Sequence, residues 1–229
     1  DKGGGGEDDG VGLYTTGSSA TIARQILTRE VGSKPDSVAI FGHSLGGLTA
    51  LKLALQLPRE TSKLVVLTAP ALGIRKTPQQ RARSSPWVSR KIFKPASSLV
   101  RKAVVYPAGG YLLRRVVGVK SFWKSGLRSV WGNPDGVSDS DALRFQWPSI
   151  GAGWERGLLE FARAQSIGDP DDVDDVTLLR EVVNLPNTTV AIVLGGKDKI
   201  ISTSMSQKFL KDFPDVTVIN LEELGHDPF

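Results

Sequence analysis

The chain contains no cysteine, which excludes disulfides, thiolate-held metals and a cysteine nucleophile together. That absence leaves the compartment open, with a soluble, intracellular setting favoured. No stretch approaches eighteen consecutive apolar residues, so no membrane-spanning helix is expected. Glycines gather at Gly3 to Gly6, but no lysine followed by serine or threonine comes after them, which removes a phosphate loop of the Walker type. Residues 1–19 read instead as an acidic, glycine-rich surface loop. Histidine is scarce, with only His43 and His226 present. Acidic residues are missing altogether from Arg75 to Arg128, a segment with fourteen Lys and Arg, while the remainder holds fifteen basic and twenty-four acidic residues. The net charge of +5 therefore comes from a basic segment set in an acidic chain. Asp169, Asp171, Asp172, Asp174 and Asp175 crowd together ahead of Leu178. No glycine or glutamate stands where an EF-hand needs one, so N-capping carboxylates are expected there and no metal.

What is present suits one soluble domain with an insertion: 229 residues, 40% of them hydrophobic, can bury a real core. Ser18 and Ser19 are placed to cap a helix through Val31, with Ile22, Ile26 and Leu27 on one face and Gly32 closing it. Ser37–Phe41, Lys63–Thr68, Thr188–Leu194 and Val216–Leu221 read as short strands, with the continuously apolar Lys63–Thr68 and Val190–Leu194 expected to be buried. Leu45 to Leu57 reads as a helix ended by Pro58, and Ser202 opens another whose Met205, Phe209, Leu210 and Phe213 face one side. Strand, helix, strand in this order predicts a parallel unit with a right-handed crossover. Between residues 71 and 187 the texture changes to amphipathic helical pieces. Leu99, Ala103 and Val104 share one face there, and Trp154, Leu158 and Phe161 share another.

The chemistry concentrates at Gly42-His43-Ser44-Leu45-Gly46-Gly47, where an apolar strand stops at a serine and a helix begins. A serine on such a turn sits on strained backbone and needs neighbours with almost no side chain, the places filled by Gly42 and Gly46. Its hydroxyl requires a general base. His43 precedes it on the same turn and is expected to point away, leaving His226 as the base. Asp198 is the expected orienting acid, because it follows a strand end and lies one helix and one strand before His226. Asp212 and Asp215 belong to the opposite sheet edge, and Asp227 is adjacent to the base. The Leu45 N–H, at the helix N-terminus, is the expected oxyanion donor.

The order Ser44, Asp198, His226 and the motif around Ser44 resemble the α/β-hydrolase superfamily. Gly195-Gly196-Lys197-Asp198 and Leu224-Gly225-His226 look like that family's acid and histidine loops, and Asp1, Gly4 and Gly6 match its D-x-x-G-x-G. The resemblance implies an α/β fold: a mostly parallel sheet with helices on both faces and an inserted helical cap. Residues 1–70 would be core with the nucleophile elbow, 71–187 the cap or lid, and 188–229 core with the acid and histidine loops. It also implies that the family's first strands, and with them the second oxyanion donor, precede the start of this chain. Both ends look cut, so a fragment with an open edge at the nucleophile strand, weakly active alone, is expected.

By the same resemblance the chain is expected to be a serine hydrolase of carboxylic esters, lipid or acylglycerol esters among them, working through an acyl-enzyme. C–C bond hydrolase, acyltransferase, haloperoxidase and non-catalytic ligand-binding members of the fold are the alternatives. Dehalogenases and epoxide hydrolases of the fold carry an aspartate at the nucleophile position, which Ser44 disfavours. No metal and no cofactor is expected. The partners expected are a small-molecule ester or lipid substrate and, for the basic cap, an anionic membrane surface. Nucleic acid is not expected, since no reading module accompanies the charge.

Overall fold

A computed structural model describes residues 11–32, 35–73, 104–167 and 173–227. Four strands, β1 (Val38–His43), β2 (Ser62–Thr68), β3 (Thr189–Gly195) and β4 (Thr217–Leu221), form one sheet in the order β1-β2-β3-β4. Every pairing is parallel, with His43 opposite Thr68, Thr68 opposite Val193, and Gly195 opposite Leu221. All four strands therefore end at one edge, and the turns after β1, β3 and β4 open there together. Parallel strands joined by helices are the α/β arrangement expected from the sequence.

The helices α1 (Thr16–Glu30) and α2 (Gly46–Gln56) flank β1 in the chain, and α2 packs on β1, β2 and α1. Leu48, Leu51 and Ala54 of α2 are wholly buried against Val65 and Leu67 of β2 and Ile192 of β3. The cap of α1 is Thr15, whose hydroxyl accepts from Ser18 N–H, rather than Ser18 or Ser19. Its buried face carries Thr16 and Ala20, while Ile22 and Ile26 stay exposed. The helical period alone could not say which side would meet α2. Among the described residues β1 pairs with β2 alone, and Phe41 is 71% exposed.

Between β2 and β3 lie α3 (Tyr106–Val117), α4 (Lys120–Val130), α5 (Asp139–Gln146), α6 (Trp154–Ile167) and α7 (Asp175–Val183). Of these, α7 joins the main core through Leu178, Leu179 and Val182, although it falls inside the 71–187 stretch read as insertion. Asp174 caps it, accepting from Val176 and Thr177 N–H, and these bonds hold its carboxyl below the usual carboxylate range. Buried Asp175 accepts from Gly73 N–H at 2.9 Å, tying the segment after β2 to the start of α7. Asp169, Asp171 and Asp172 lie outside the described residues. So do Leu99 and Ala103 of the expected amphipathic face. On α6 the buried side is Glu160 and Ala164, and Leu158 and Phe161 are exposed, against expectation. Glu160 accepts from Tyr106 of α3 and pairs with Arg163, so a polar contact, not an apolar stripe, decides that face.

A second, smaller apolar cluster joins α4 to α5: Leu127, Val137 and Ala142 are buried, with Trp123 and Trp131 packed on them. Lys120 and Lys124 both bridge to Asp139, whose carboxyl their hydrogen bonds push down to about 2. Arg114 pairs with Glu155. Those three cations are thus matched by acids, and the nine basic residues from Arg75 to Lys102 lie outside the described residues. After β3, α8 (Thr203–Leu210) buries Leu210, with Phe213 just beyond it, but leaves Met205 exposed, which narrows the expected face. No described helix is long and apolar enough to cross a membrane.

Candidate active site

The turn between β1 and α2 holds Ser44 at φ 51°, a left-handed conformation that side chains rarely adopt. Its backbone is pinned: Ser44 N–H donates to Thr68 O at 2.9 Å, and Ser44 O accepts from Gly47 and Ala71 N–H. The chain can turn so sharply because position 42 has no side chain. A Cβ there would lie 2.7 Å from both Ala50 Cβ and Gly46 O. Gly46 is different, since a Cβ on it would meet nothing within 4 Å. The glycine expected there for tight packing is therefore not required by contacts to a side chain at position 46. Leu45 occupies the N-cap of α2 with no side-chain cap bond. Its N–H belongs to the first turn, which a helix leaves without internal partners.

Asp198 follows β3 in a turn that its own side chain builds. Oδ1 accepts from Ile200 and Ile201 N–H, each at 2.8 Å, and Oδ2 faces His226 Nδ1 at 2.9 Å. The side chain is 2% exposed. An ionised carboxylate only accepts, so the proton of the neutral imidazole sits on Nδ1 and leaves Nε2 bare. That bare nitrogen lies 3.0 Å from Ser44 Oγ. Ser44, His226 and Asp198, separated by up to 182 positions, thus form one continuous hydrogen-bonded chain. It lies at the sheet edge where open α/β sheets collect their sites. Asp212 and Asp215, between α8 and β4, sit toward the other edge.

His43 does not point away as expected. It ends β1 opposite Thr68, and its Nδ1 lies 3.0 Å from Thr68 Oγ1. Its ring centre is 5.0 Å from that of His226, tilted by 54°. Burial first, and then the neighbouring His226, hold its pKa below the ordinary histidine value, against partial opposition from Asp227, a Thr68 backbone bond and Asp198. Parallel register explains this placement: a residue still within the strand ladder follows its cross-strand neighbour. Two further residues, Val130 and Gly132, approach the histidine loop from the α4 end. Nothing in their own sequence pattern marks them, because the approach is tertiary. Among the described residues no group of three His, Asp or Glu could hold a metal ion.

The alpha/beta hydrolase family matches residues 6–229. The chain is 25% identical over 196 residues to a pimeloyl-[acyl-carrier protein] methyl ester esterase of Aromatoleum aromaticum, covering 85% of this chain and 69% of that protein. Among solved structures, a candidate lipase from Acinetobacter baumannii AYE superposes with a TM-score of 0.59 at 22% identity, over 94% of this chain and 62% of that one. A bromoperoxidase from Bacillus anthracis superposes equally, at 0.59 and 16% identity, over 93% of this chain and 68% of that one. The chain therefore spans about two thirds of the length of these relatives.

Proposed function

The chain belongs to the alpha/beta hydrolase family, and we propose that within it the chain is a serine hydrolase that cleaves a carboxylic ester through an acyl-enzyme. The observation that carries this reading is the unbroken path from Ser44 Oγ to His226 Nε2 at 3.0 Å and from His226 Nδ1 to Asp198 Oδ2 at 2.9 Å. In it Ser44 attacks the ester carbonyl as His226 Nε2 takes the hydroxyl proton. Asp198 holds the imidazole in the one tautomer able to do so and stabilises the imidazolium. The Leu45 N–H faces the oxygen that gains charge. On collapse His226 returns the proton to the departing alkoxide, leaving an ester on Ser44. Water, deprotonated by the same nitrogen, then releases the carboxylic acid. Every proton is handled by His226, and no step calls for a metal or organic cofactor.

The methyl-ester esterase relative supports an ester as the substrate, and a cap role for the insertion between β2 and α7, without α7 itself, is part of the same reading. An apolar acyl or alcohol group fits an insertion rich in aromatic residues, with lipid and acylglycerol esters in that class. Fluorophosphonate probes attack activated serines, so the chain and its Ser44→Ala variant are to be treated with one and digested for mass spectrometry. Labelling on Ser44, lost in the variant, together with hydrolysis of p-nitrophenyl esters, is the expected result. Label on another residue, or label surviving the substitution, ends the proposal. Labelling of Ser44 with no ester turned over moves the reading to C–C cleavage or acyl transfer on the same residues.

A further inference from the structure

His226 is held from two sides. Asp198 takes its ring, while its backbone N–H donates to Val130 O at 2.7 Å. Val130 ends α4, so this bond joins the histidine loop to the helices inserted between β2 and β3. The two segments meet backbone to backbone. A Cβ on Gly132 would lie 2.1 Å from Glu223 O and 2.8 Å from Gly225 N. A Cβ on Gly225 would lie 2.2 Å from Val130 O and 2.6 Å from Gly132 N. No side chain fits at either position while the loops stay in contact.

Behind this contact stands a firm support. Trp131 N–H donates to Leu127 O at 2.9 Å, and both residues belong to the small α4–α5 cluster, which is separate from the main core. The Lys120 and Lys124 bridges to Asp139 brace the same pair of helices from outside. The pair is thus a small body with its own apolar centre, and its end bears on the loop that carries His226.

We propose that the segment Val130–Gly132 is a strut that sets His226 against Ser44, with Gly132 as a positioning residue. The seating of the α4–α5 pair then governs whether the base is in place. This rests on the reading of His226 as the base. A Cβ 2.1 Å from Glu223 O cannot be accommodated unless the loops part, and a displacement of about an ångström at a reacting group costs about 10²-fold in rate.

The test uses Gly132→Ala, with Gly136→Ala as a control, since a Cβ at Gly136 meets only ordinary contacts at 3.6 Å or more. Because the chain has two histidines, the Nδ1 proton of His226 can be followed by NMR beside the rate of fluorophosphonate labelling. Gly132→Ala is expected to slow the labelling step about 10²-fold, leave probe affinity within about twofold of the parent, and shift or broaden the His226 signal. The control is expected to change neither. If Gly132→Ala does not fold, Leu127→Ala empties the α4–α5 cluster while sparing the main core, and the same shift or broadening of the His226 signal is expected. Parent-like labelling and an unchanged His226 signal in a folded variant overturn the strut. If Ser44 is never labelled in the parent, the functional reading fails, while the NMR signal still decides the strut.

Discussion

Replacing Asp198 by asparagine exchanges one carboxylate oxygen for an NH2 group and should remove the base without removing the fold. Oδ1 of Asp198 accepts from Ile200 and Ile201 N–H at 2.8 Å each, and an asparagine oxygen can keep both bonds. Its NH2 must then stand where Oδ2 now faces His226 Nδ1 at 2.9 Å. An amide nitrogen donates, so the imidazole has to present a bare Nδ1 and carry its proton on Nε2. That proton points at Ser44 Oγ, and the nitrogen that should accept from the hydroxyl becomes a donor. A tautomer reversal of this kind costs about 10⁴-fold in turnover. Asp198→Ala differs in kind. It strips the acceptor from both turn N–H groups, at about 1–3 kcal/mol for a desolvated donor and less where water reaches, as at exposed Ile200. Fluorophosphonate labelling rate, p-nitrophenyl ester hydrolysis and thermal unfolding are to be measured on both variants. Asp198→Asn should be inert and nearly as stable as the parent, and Asp198→Ala should unfold at lower temperature. An asparagine variant within tenfold of the parent in labelling would refute the tautomer argument.

Three other substitutions test the elbow and the histidine on it. Gly42→Ala pushes a methyl to 2.7 Å from Ala50 Cβ and should cost about 1–3 kcal/mol in urea unfolding, whereas Gly46→Ala enters open space and should change stability by less than about 0.5 kcal/mol. Equal costs would show that packing at the elbow is not as described. His43, whose pKa burial lowers, should bind fewer protons folded than unfolded between its folded value and about 6.5. Stability should therefore climb as pH rises through that window, level off above it, and fall as acid is added below about 6.5. In His43→Gln this part of the slope should vanish in urea titrations from pH 5 to 8, and an unchanged slope would assign it to other groups.

The local parts of the site were legible because each rests on neighbours in the chain. Four strands appear within two residues of their expected bounds at either end, since short apolar runs stopped by glycine, proline or polar turns admit few other structures. Ser44 was marked by the strand before it and the helix after it. The scarcity of histidine left His226 little competition, and Asp198 was singled out by standing just past a strand. Faces were less legible. Ile22, Ile26, Leu158, Phe161 and Met205 all carry the period of a buried stripe and are exposed, because a period says that two sides differ without saying what will cover either.

Residue types and their order along the chain were enough to determine a parallel α/β core, a serine on a strained turn, and one histidine and one aspartate following separate strands. Three matters were decided only by tertiary structure: the 3.0 and 2.9 Å spacings that join those residues, the turn of His43 toward Thr68, and the lean of Val130–Gly132 on the histidine loop. Strand, helix and turn propensities act over a few residues. Contacts between positions 130 and 226, or 44 and 226, exist only once register and packing have brought distant backbones together.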